Sequence, residues 1–246
     1  MSFWEDFCIQ VVKNVLPLLP RVVNDGFHEF GLDIAPCKDV ALPSLSDYDT
    51  DAPLEGFCGL GTKDLGTAVL DLTGSRLNGL DTIAQTPGQP ITFTKADEVM
   101  LIPLTITKLT LDSQFEIRRR CQPQSGPEYL ASAKGSLRGT IENAKVAMTI
   151  SGLDQDKGRA GAVLLAWSSP KELPALSFGD PVFTQDTKDS ARRTVKNYLS
   201  VARKAKKLEA TLVDQLTGIL TGSISLGSRT LPGTLLEVIN GAFAQI

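Results

Sequence analysis

Residues 187–221, TKDSARRTVKNYLSVARKAKKLEATLVDQLTGILT, decide the fold that this chain is expected to adopt. Apolar residues recur there at steps of three and four, which is the spacing of one face of an α-helix. Asp186 is a candidate N-cap, and Gly222 is a candidate stop signal. We therefore predict one amphipathic helix of about 35 residues, roughly 50 Å long. Such a helix needs an equally long partner to cover its apolar face.

The predicted partner lies upstream, between residues 54 and 183. The apolar period there changes from that of a helix to the two-residue alternation of β-strands. Several of the alternating runs exceed the usual strand length of about five or six residues. Long strands joined in series indicate a strongly curved antiparallel sheet with one apolar face and one wet face. The alternating runs are residues 67–74, 91–95, 99–112, 114–119 and 128–152, and residues 160–167 form a continuous apolar run.

Helices are also predicted at both ends of the chain. Residues 2–30 have helical spacing, and Pro17 and Pro20 should kink or end this helix because each removes a backbone donor. Residues 234–244 are predicted to form the last helix. No linker interrupts the order, so residues 1–246 are predicted to form a single α+β domain. In it, a long, strongly curved antiparallel sheet wraps around a long C-terminal amphipathic helix.

Composition excludes several classes of protein. The chain has 246 residues and a net charge of −3, so no nucleic-acid partner is expected. No run reaches the roughly 18 apolar residues that a membrane-spanning helix needs. Glu5 and Asp6 stand where a signal peptide carries its basic cluster, so the N-terminal segment is predicted to remain in the mature protein. A cytoplasmic location is therefore predicted, with secretion by a non-standard route left open.

The four cysteines, Cys8, Cys37, Cys58 and Cys121, are widely spaced and include no CxxC pair. Zinc sites use closely spaced cysteine and histidine ligands, so no metal site is predicted. In a reducing compartment the four thiols are expected to be free and buried. A Cys8–Cys37 bridge is the alternative for a secreted protein.

No catalytic motif is present. His28 is the only histidine, no GxSxG elbow occurs, and His28 is interpreted as a packed or capping residue. The glycine-rich stretch GFCGLGTKDLG (56–66) lacks the ending of a phosphate loop and is interpreted as a turn between strands. Asp154 and Asp156 lie in a polar stretch that is typical of a solvated turn. No cofactor is expected, and the sequence favours a function other than catalysis.

Two basic clusters remain, one at residues 118–120 and the other along the long helix. A charge run on a helix is ordinarily its solvated face. The alternative for Arg203, Lys204 and Lys207 is a docking face for an anionic membrane surface or an acidic protein.

Three stretches carry a resemblance to a known family. VVKNVLPLLPRVVNDGFHEFGLDIAP (11–36) is similar to the N-terminal helix and loop of the takeout group. LGTAVLDLTGSRLNGLDTI (65–83), with Asn78-Gly79-Leu80, looks like the paired strands of that family, and LSFGDPVFTQD (176–186) resembles its last strand before the long helix. The chain thus resembles the tubular lipid-binding superfamily, which includes the bactericidal permeability-increasing protein, the takeout and juvenile-hormone-binding proteins and the group 7 mite allergens.

The resemblance implies an apolar channel between the sheet and the long helix, and binding of a lipid or another elongated hydrophobic small molecule. Burial of apolar surface, at about 25 cal/mol per Å², would dominate the affinity. For each residue of the candidate lining taken separately, a place in a filled core is the favoured interpretation. The candidate ligand-binding residues are Val69, Leu101, Leu104, Ile106, Phe115, Met148, Leu164, Trp167, Tyr198, Leu212 and Leu216.

Two other functions fit the sequence. The basic helix and the amphipathic terminal helices would suit a structural or protein-interaction subunit of a toxin- or secretion-associated complex. An enzyme without a recognisable motif, such as a cyclase, could act by enclosing and orienting an apolar substrate.

Overall fold

The computed structural model describes most of the chain. For residues 40, 45–49, 190 and 202–207 the structure describes the backbone but not the side chains. The described residues are 3–29, 31–34, 40–41, 45–49, 54, 56–58, 61–94, 96–168, 174–185, 189–200, 202–225 and 229–245.

Five α-helices and one antiparallel sheet of ten strands make up this part of the chain. The helices are α1 (Phe3–Val15), α2 (Leu19–Asp25), α3 (Asp189–Ser200), α4 (Ala202–Thr221) and α5 (Leu231–Phe243). The strands are β1 (Val40–Ala41), β2 (Leu45–Asp49), β3 (Thr62–Asn78), β4 (Ile83–Gln85), β5 (Thr92–Thr94), β6 (Val99–Pro123), β7 (Tyr129–Ser151), β8 (Ala162–Trp167), β9 (Ala175–Phe178) and β10 (Val182–Phe183).

The sheet is built on β6 and β7, which are 25 and 23 residues long and pair along almost their whole length. β3, β4 and β5 pair with the free edge of β6, and β8, β9 and β10 pair with the free edge of β7. The predicted α+β class and long, curved antiparallel sheet are confirmed. The two runs predicted at 99–112 and 114–119 are one strand, and β1 and β2 lie in a region that the alternation did not mark as strand.

Both central strands change their buried face at the same level. In β6 the buried positions are even-numbered up to Ile106 and odd-numbered from Leu109 onward. In β7 the buried apolar positions are odd-numbered up to Ile141 and even-numbered from Ala144 onward, and Ser132 is a buried polar residue at an even-numbered position. The two residues between these positions are exposed in each strand, and Asn143 has a φ of 55°. Because Ile106 lies opposite Ala144 and Leu109 opposite Ile141, the strands turn over together and the inner face stays continuous.

This bend divides the sheet into two halves. We call the part that contains residues 109–123 of β6 and 129–141 of β7 the first half. The part that contains residues 99–106 and 144–151 is the second half. The outer strands divide in the same way, because β3, β9 and β10 pair in the first half, while β4, β5 and β8 pair in the second.

Gly79 lies at the bend, where the chain passes from β3 in the first half to β4 in the second half. β3 ends at Asn78, and a 3-10 turn (Leu80–Thr82) leads into β4. A Cβ on Gly79 would lie 1.9 Å from the carbonyl oxygen of Lys108, and the φ of this glycine is 98°. The backbone N–H and the hydroxyl of Thr82 both donate to the Gly79 carbonyl, at 3.0 and 2.6 Å. Only glycine combines this φ with this close approach.

Two bulges in β3 contain glycines with positive φ. The register of β3 with β6 shifts between Leu65 and Val69 and again between Thr73 and Arg76. Gly66, with a φ of 66°, lies in the first shift. Gly74, with a φ of 60°, lies in the second. A bulge bends its strand and increases the local twist, so these positions add to the curvature of the first half.

The N-terminal segment is kinked at its prolines, as predicted. A 3-10 turn over Leu16–Leu18 separates α1 from α2, and Pro20 lies in the first turn of α2. The helical part ends at Asp25 rather than at residue 30. The ring of Trp4 stacks on Phe7 and on Phe243 of α5, at 5.4 and 6.2 Å. Contacts of α2 with β4 and of α4 and α5 with β8 cover the second half, which is filled with large apolar side chains.

Within the range 187–221 predicted as one helix, the structure describes α3 (Asp189–Ser200) and α4 (Ala202–Thr221), and residue 201 between them lies outside the described residues. The continuity of this helix therefore stays a prediction. Its apolar stripe is confirmed by the buried Val195, Leu208 and Leu212. The predicted N-cap at residue 186 lies outside the described residues. The 20 residues of α4, about 30 Å long, contact both β8 and β9 and so cross the bend.

The last helix starts earlier than predicted. It begins at Leu231 and has Pro232 in its first turn, where the missing N–H of proline costs no hydrogen bond. The side-chain oxygen of Thr230 accepts from the backbone N–H of Gly233 as the N-cap. Asn240 in α5 bonds both the N–H and the carbonyl of Ala160, at 2.7 and 3.2 Å, which ties the helix to the segment before β8. Among the described helices, none is both long and apolar enough to cross a membrane.

Cys58 and Cys121 form a disulfide with a Cα–Cα distance of 5.5 Å, so the prediction of free thiols is wrong for these two residues. The bond joins the turn before β3 to the end of β6. The pairing of β3 with β6 brings these two cysteines together. Their spacing in the sequence does not reveal that pairing. Cys8 is free and buried, and Cys37 lies outside the described residues.

Burial raises the pKa of the Cys8 thiol from 9.0 to about 12. The folded protein therefore keeps this proton at pH values where the unfolded chain loses it, and the resulting stability declines as pH rises from about 9 towards 12. We expect iodoacetamide at pH 8.5 to leave Cys8 unlabelled in the native protein and to label it in denaturant. Peptide mapping by mass spectrometry gives the readout, with a Cys8→Ala variant as the control. Native labelling at the rate of an exposed thiol would contradict this expectation.

Candidate functional site

A groove of about 460 Å³ lies between the first half of the sheet and the two helices α3 and α4. Its walls combine apolar side chains with a polar rim. The apolar residues come from β9, from the loop that follows it and from α3. The residues that line the groove are Leu176, Phe178, Gly179, Asp180, Pro181, Lys196, Asn197, Leu199, Ser200 and Glu209.

Strand alternation and helical periodicity place the apolar walls. Leu176 and Phe178 are two residues apart in β9, so both side chains lie on the same face. Leu176 lies opposite Gly139 of β7, and a Cβ on that glycine would lie 3.0 Å from a methyl carbon of Leu176. Leu199 follows the fully buried Val195 by four residues, so the apolar stripe of α3 ends at the groove.

The inner face of β7 changes in size across the bend. In the second half it carries the large buried side chains of Val146, Met148 and Ile150. In the first half it carries several alanines and glycines. The first half also carries the buried Leu137 and Ile141, and its side-chain volume on this strand is smaller than that of the second half. The small residues are Ala131, Ala133, Gly135 and Gly139.

An aromatic pair occupies part of the space that these small residues leave. A Cβ on Gly135 would lie 2.5 Å from the ring of Phe115, so this ring packs directly on the glycine backbone. The ring of Phe115 meets that of Phe178 edge-to-face at 5.9 Å. Phe178 thus joins the groove to the buried core.

Exposed polar contacts hold α3 at the mouth of the groove. Lys196 Nζ lies 2.7 Å from a carboxylate oxygen of Asp180, and both side chains are exposed. The guanidinium of Arg192 lies over the ring of Phe183, 5.1 Å from its centroid. Exposed ion pairs contribute only about 0–1 kcal/mol, so separating Lys196 from Asp180 costs little.

The structure brings eight of the eleven predicted binding residues into one core. Six are buried, and Trp167 and Tyr198 are half-buried against the same cluster. Trp167 donates its indole N–H to Thr217 Oγ1 at 3.0 Å. None of the eleven lines the groove, and their role in ligand binding remains a prediction. The six buried residues are Leu104, Ile106, Phe115, Met148, Leu212 and Leu216.

The other three do not face the helices, so that part of the prediction is wrong. Leu101 and Leu164 are 44% and 55% exposed and lie on the outer face, on either side of Thr149. Val69 is half-buried and alternates with the buried Leu70, so it lies on the outer face too. Apolar character alone placed these residues inside. The strand alternation, counted separately in each half of the sheet, places them outside.

Sequence reasoning missed the groove residues Leu176, Phe178 and Leu199. Two signals could have identified them. Residues 175–178 alternate as a strand, and Leu199 stands one helical turn after Val195. Both signals show on which face of its strand or helix a residue lies. Only the pairing of β9 with β7 shows what that face contacts.

The titratable groups singled out in the sequence lie outside the groove. His28 Nδ1 lies 2.7 Å from a carboxylate oxygen of Asp33, and both side chains are exposed, so His28 is neither packed nor enclosed. Asp154 accepts from the backbone N–H groups of Asp156 and Lys157. A further hydrogen bond from the Lys157 ammonium lowers the pKa of Asp154. The solvated turn predicted at these residues is confirmed.

One cluster has the residue types of a metal site. The candidate ligand atoms of Cys58, Cys121 and Asp64 lie within 4.8 Å of one another. The two sulfurs are bonded to each other, so neither is a thiolate. The Asp64 carboxylate accepts from the backbone N–H groups of Gly56 and Cys58, at 2.8 and 3.0 Å. This cluster therefore anchors the turn before β3.

Arg203, Lys204 and Lys207 lie in α4, and their side chains are outside the description. Their proposed role as a docking face for an anionic membrane or an acidic protein therefore remains a prediction.

No protein-family model and no curated protein sequence matches this chain. Among solved structures, it is similar to Takeout 1 of Epiphyas postvittana, with 12% identity, a TM-score of 0.34 and coverage of 86% of this chain and 92% of that chain. It is also similar to a lipopolysaccharide binding protein, with 12% identity and a TM-score of 0.42, over 96% of this chain and 40% of that chain. These are the kinds of relative that the sequence resemblance predicted. At such TM-scores neither structure bears on what this chain binds.

Proposed function

We propose that this chain binds an elongated apolar molecule, such as a lipid acyl chain, in the groove between β9 and helices α3 and α4. The apolar walls of the groove and its polar rim carry the proposal. Small-molecule sites commonly have volumes of about 300–1,000 Å³ and combine apolar walls with a few polar groups. The groove, at about 460 Å³, has this size, and Leu176, Phe178, Pro181 and Leu199 supply its apolar surface.

Apolar burial would supply the affinity. Each methylene transferred from water contributes about 0.8 kcal/mol, which is roughly a fourfold change in the dissociation constant. A series of straight-chain alcohols should therefore bind more tightly by about fourfold per added carbon until the groove is full. The exposed contact between Lys196 and Asp180 offers a mouth through which a chain could enter.

The proposal is tested by filling the groove. We expect Leu176→Trp to weaken binding of a fluorescent apolar probe, such as N-phenylnaphthylamine, by at least about tenfold, because the indole takes the space of the ligand. Fluorescence titration measures the dissociation constant, and competition with the alcohols gives the chain-length series.

Leu164→Trp is the matched control, because Leu164 is an exposed leucine on the outer face of the same sheet. It should leave probe binding unchanged. Absence of probe binding in the unmodified chain would overturn the proposal, and so would equal affinities in Leu176→Trp and the unmodified chain. Circular dichroism and thermal unfolding establish that both variants are folded.

The alternative functions, a protein-interaction subunit and an enzyme without a recognisable motif, remain predictions from the sequence.

A further inference from the structure

Arg119 is a buried cation on the inner face of the first half. It is 7% exposed and alternates with the fully buried Ile117 and Cys121 on β6. Its cross-strand partner on β7 is Ala131, which is also buried. A guanidinium in such surroundings is rare, because removing a charge from water is costly unless a partner compensates for it.

Protein groups satisfy this guanidinium only in part. Arg119 Nη2 donates to the carbonyl oxygen of Gly66 at 2.9 Å, in the first bulge of β3. Nε and Nη1 are buried and have no hydrogen-bond partner. Nη2 carries two hydrogens, and one N–H···O bond to Gly66 uses only one of them. One edge of the guanidinium therefore retains both of its N–H donors, which is the arrangement that holds a carboxylate or phosphate with two parallel bonds.

The neighbouring acids have other partners. Asp71 forms an ion pair with Arg118 at 2.5 Å. Asp64 lies opposite Cys121 and accepts from the backbone N–H groups of the turn before β3. Within the described part of the chain, no ion pair joins Arg119 to an acidic residue. The compensating anion is thus absent from the surroundings that the structure describes.

Arg119 also contributes to the wall of a pocket of about 640 Å³ at the bulge. Arg118 and Arg120 line the same pocket, together with Gly66 and the carboxylate-bearing Glu128. Among the residues that line this pocket, Glu128 is the one acid beside three arginines. The local field therefore favours a negatively charged group.

We infer that Arg119 binds the anionic oxygen headgroup, a carboxylate or a phosphate monoester, of the chain's apolar ligand. This inference rests on the proposed function, because it assigns the head of the molecule whose tail occupies the groove. Arg119 lies opposite Ala131, and the groove residue Leu176 lies opposite Gly139. The eight residues from Ala131 to Gly139 span about 26 Å along β7, which is the scale of a long extended acyl chain.

The test compares three ligands whose extended chains are long enough for this span and equal in length: docosanoate, docosyl phosphate and docosanol. We expect the unmodified chain to bind at least one of the two anions about 10–100-fold more tightly than the alcohol, the range expected for hydrogen bonds to a charged group. Arg119→Met keeps a side chain of similar length without charge or donors. It should abolish the preference for the anion while leaving the affinity for docosanol within about twofold.

Arg138→Met is the control, because Arg138 is an exposed arginine on β7 that lies outside this pocket and pairs with Asp112. It should keep at least about a tenfold preference. If Arg119→Met does not fold, Arg119→Lys retains the charge, loses the paired donors and should show a reduced preference. Comparison of the two anions identifies the headgroup.

Equal binding of the acid, the phosphate and the alcohol by the unmodified chain would overturn the inference and leave the proposed function intact. An unchanged preference in a folded Arg119 variant would overturn it as well. Failure of all three ligands to bind would overturn the proposed function and the inference together.

Discussion

Replacing both Cys58 and Cys121 by alanine is expected to lower the free energy of unfolding by about 4 kcal/mol. The disulfide links residues 63 positions apart, and cross-linking so long a segment removes much of the conformational freedom of the unfolded chain. Domains of this kind are commonly stable by only about 5–15 kcal/mol, so the loss would be a large part of the total.

The bond also fixes a local network. Tyr129 donates its hydroxyl hydrogen to the carbonyl oxygen of Cys58 at 2.9 Å, and Gln185 Nε2 donates to the carbonyl of Phe57 at 3.3 Å. The disulfide thus holds a turn that β7 and the segment after β10 use as an anchor. We expect its removal to loosen this end of the first half before the second half unfolds.

Urea denaturation followed by circular dichroism measures the expected loss. The control is Cys8→Ala, which removes a buried thiol but breaks no disulfide, because Cys8 is free. It should cost less than the double replacement. A double variant that loses under about 1 kcal/mol would show that the closed loop contributes little to stability, contrary to the loop-closure estimate.

Gly79→Ala is expected to destabilise the protein by more than about 3 kcal/mol. The added Cβ would lie 1.9 Å from the Lys108 carbonyl oxygen, a distance that no side-chain rotation can relieve. Lys108 lies at the bend, so relief requires the backbone of β6 or the 3-10 turn after Gly79 to move. The positive φ of 98° adds a further cost for any residue with a Cβ.

Gly88→Ala separates these two causes. Gly88 also has a positive φ, 73°, but a Cβ there would meet nothing within 4 Å. Its replacement should cost only about 1 kcal/mol, the backbone term alone. Thermal and urea unfolding of both variants provide the comparison. Equal losses at the two glycines would mean that the contact between Gly79 and Lys108 does not constrain the bend.

Much of the sheet could be predicted, because alternation is a local property of the chain. The β7 strand was predicted at residues 128–152 and is found at Tyr129–Ser151. The bend was not predicted. Thr107 and Lys108 are two consecutive polar residues, at which the buried apolar positions change from even to odd numbers, but both sides were assigned to a single alternating run. Leu101 precedes the bend, and its placement inside rested on apolar character alone, since it does not alternate with Leu104 and Ile106 as an inner residue would.

The candidate site depended still more on pairing between distant segments. Three consecutive arginines were visible at residues 118–120, yet only the alternation relative to Ile117 and Cys121 shows that the middle one is buried. The groove needs β9 to pair with β7 and α3 to lie above it. Composition and periodicity assign faces to such elements, whereas register and packing decide which faces meet.

The shared bend at residues 107–108 and 142–143 constrains how this chain can change in length. Deleting one residue from β6 alone would shift the register on one side of the bend, so every side chain beyond it would exchange faces relative to its partner on β7. An insertion on β7 alone would do the same. A change of length at this point therefore keeps both faces in place only when β6 and β7 change together, although the two segments lie about 35 positions apart.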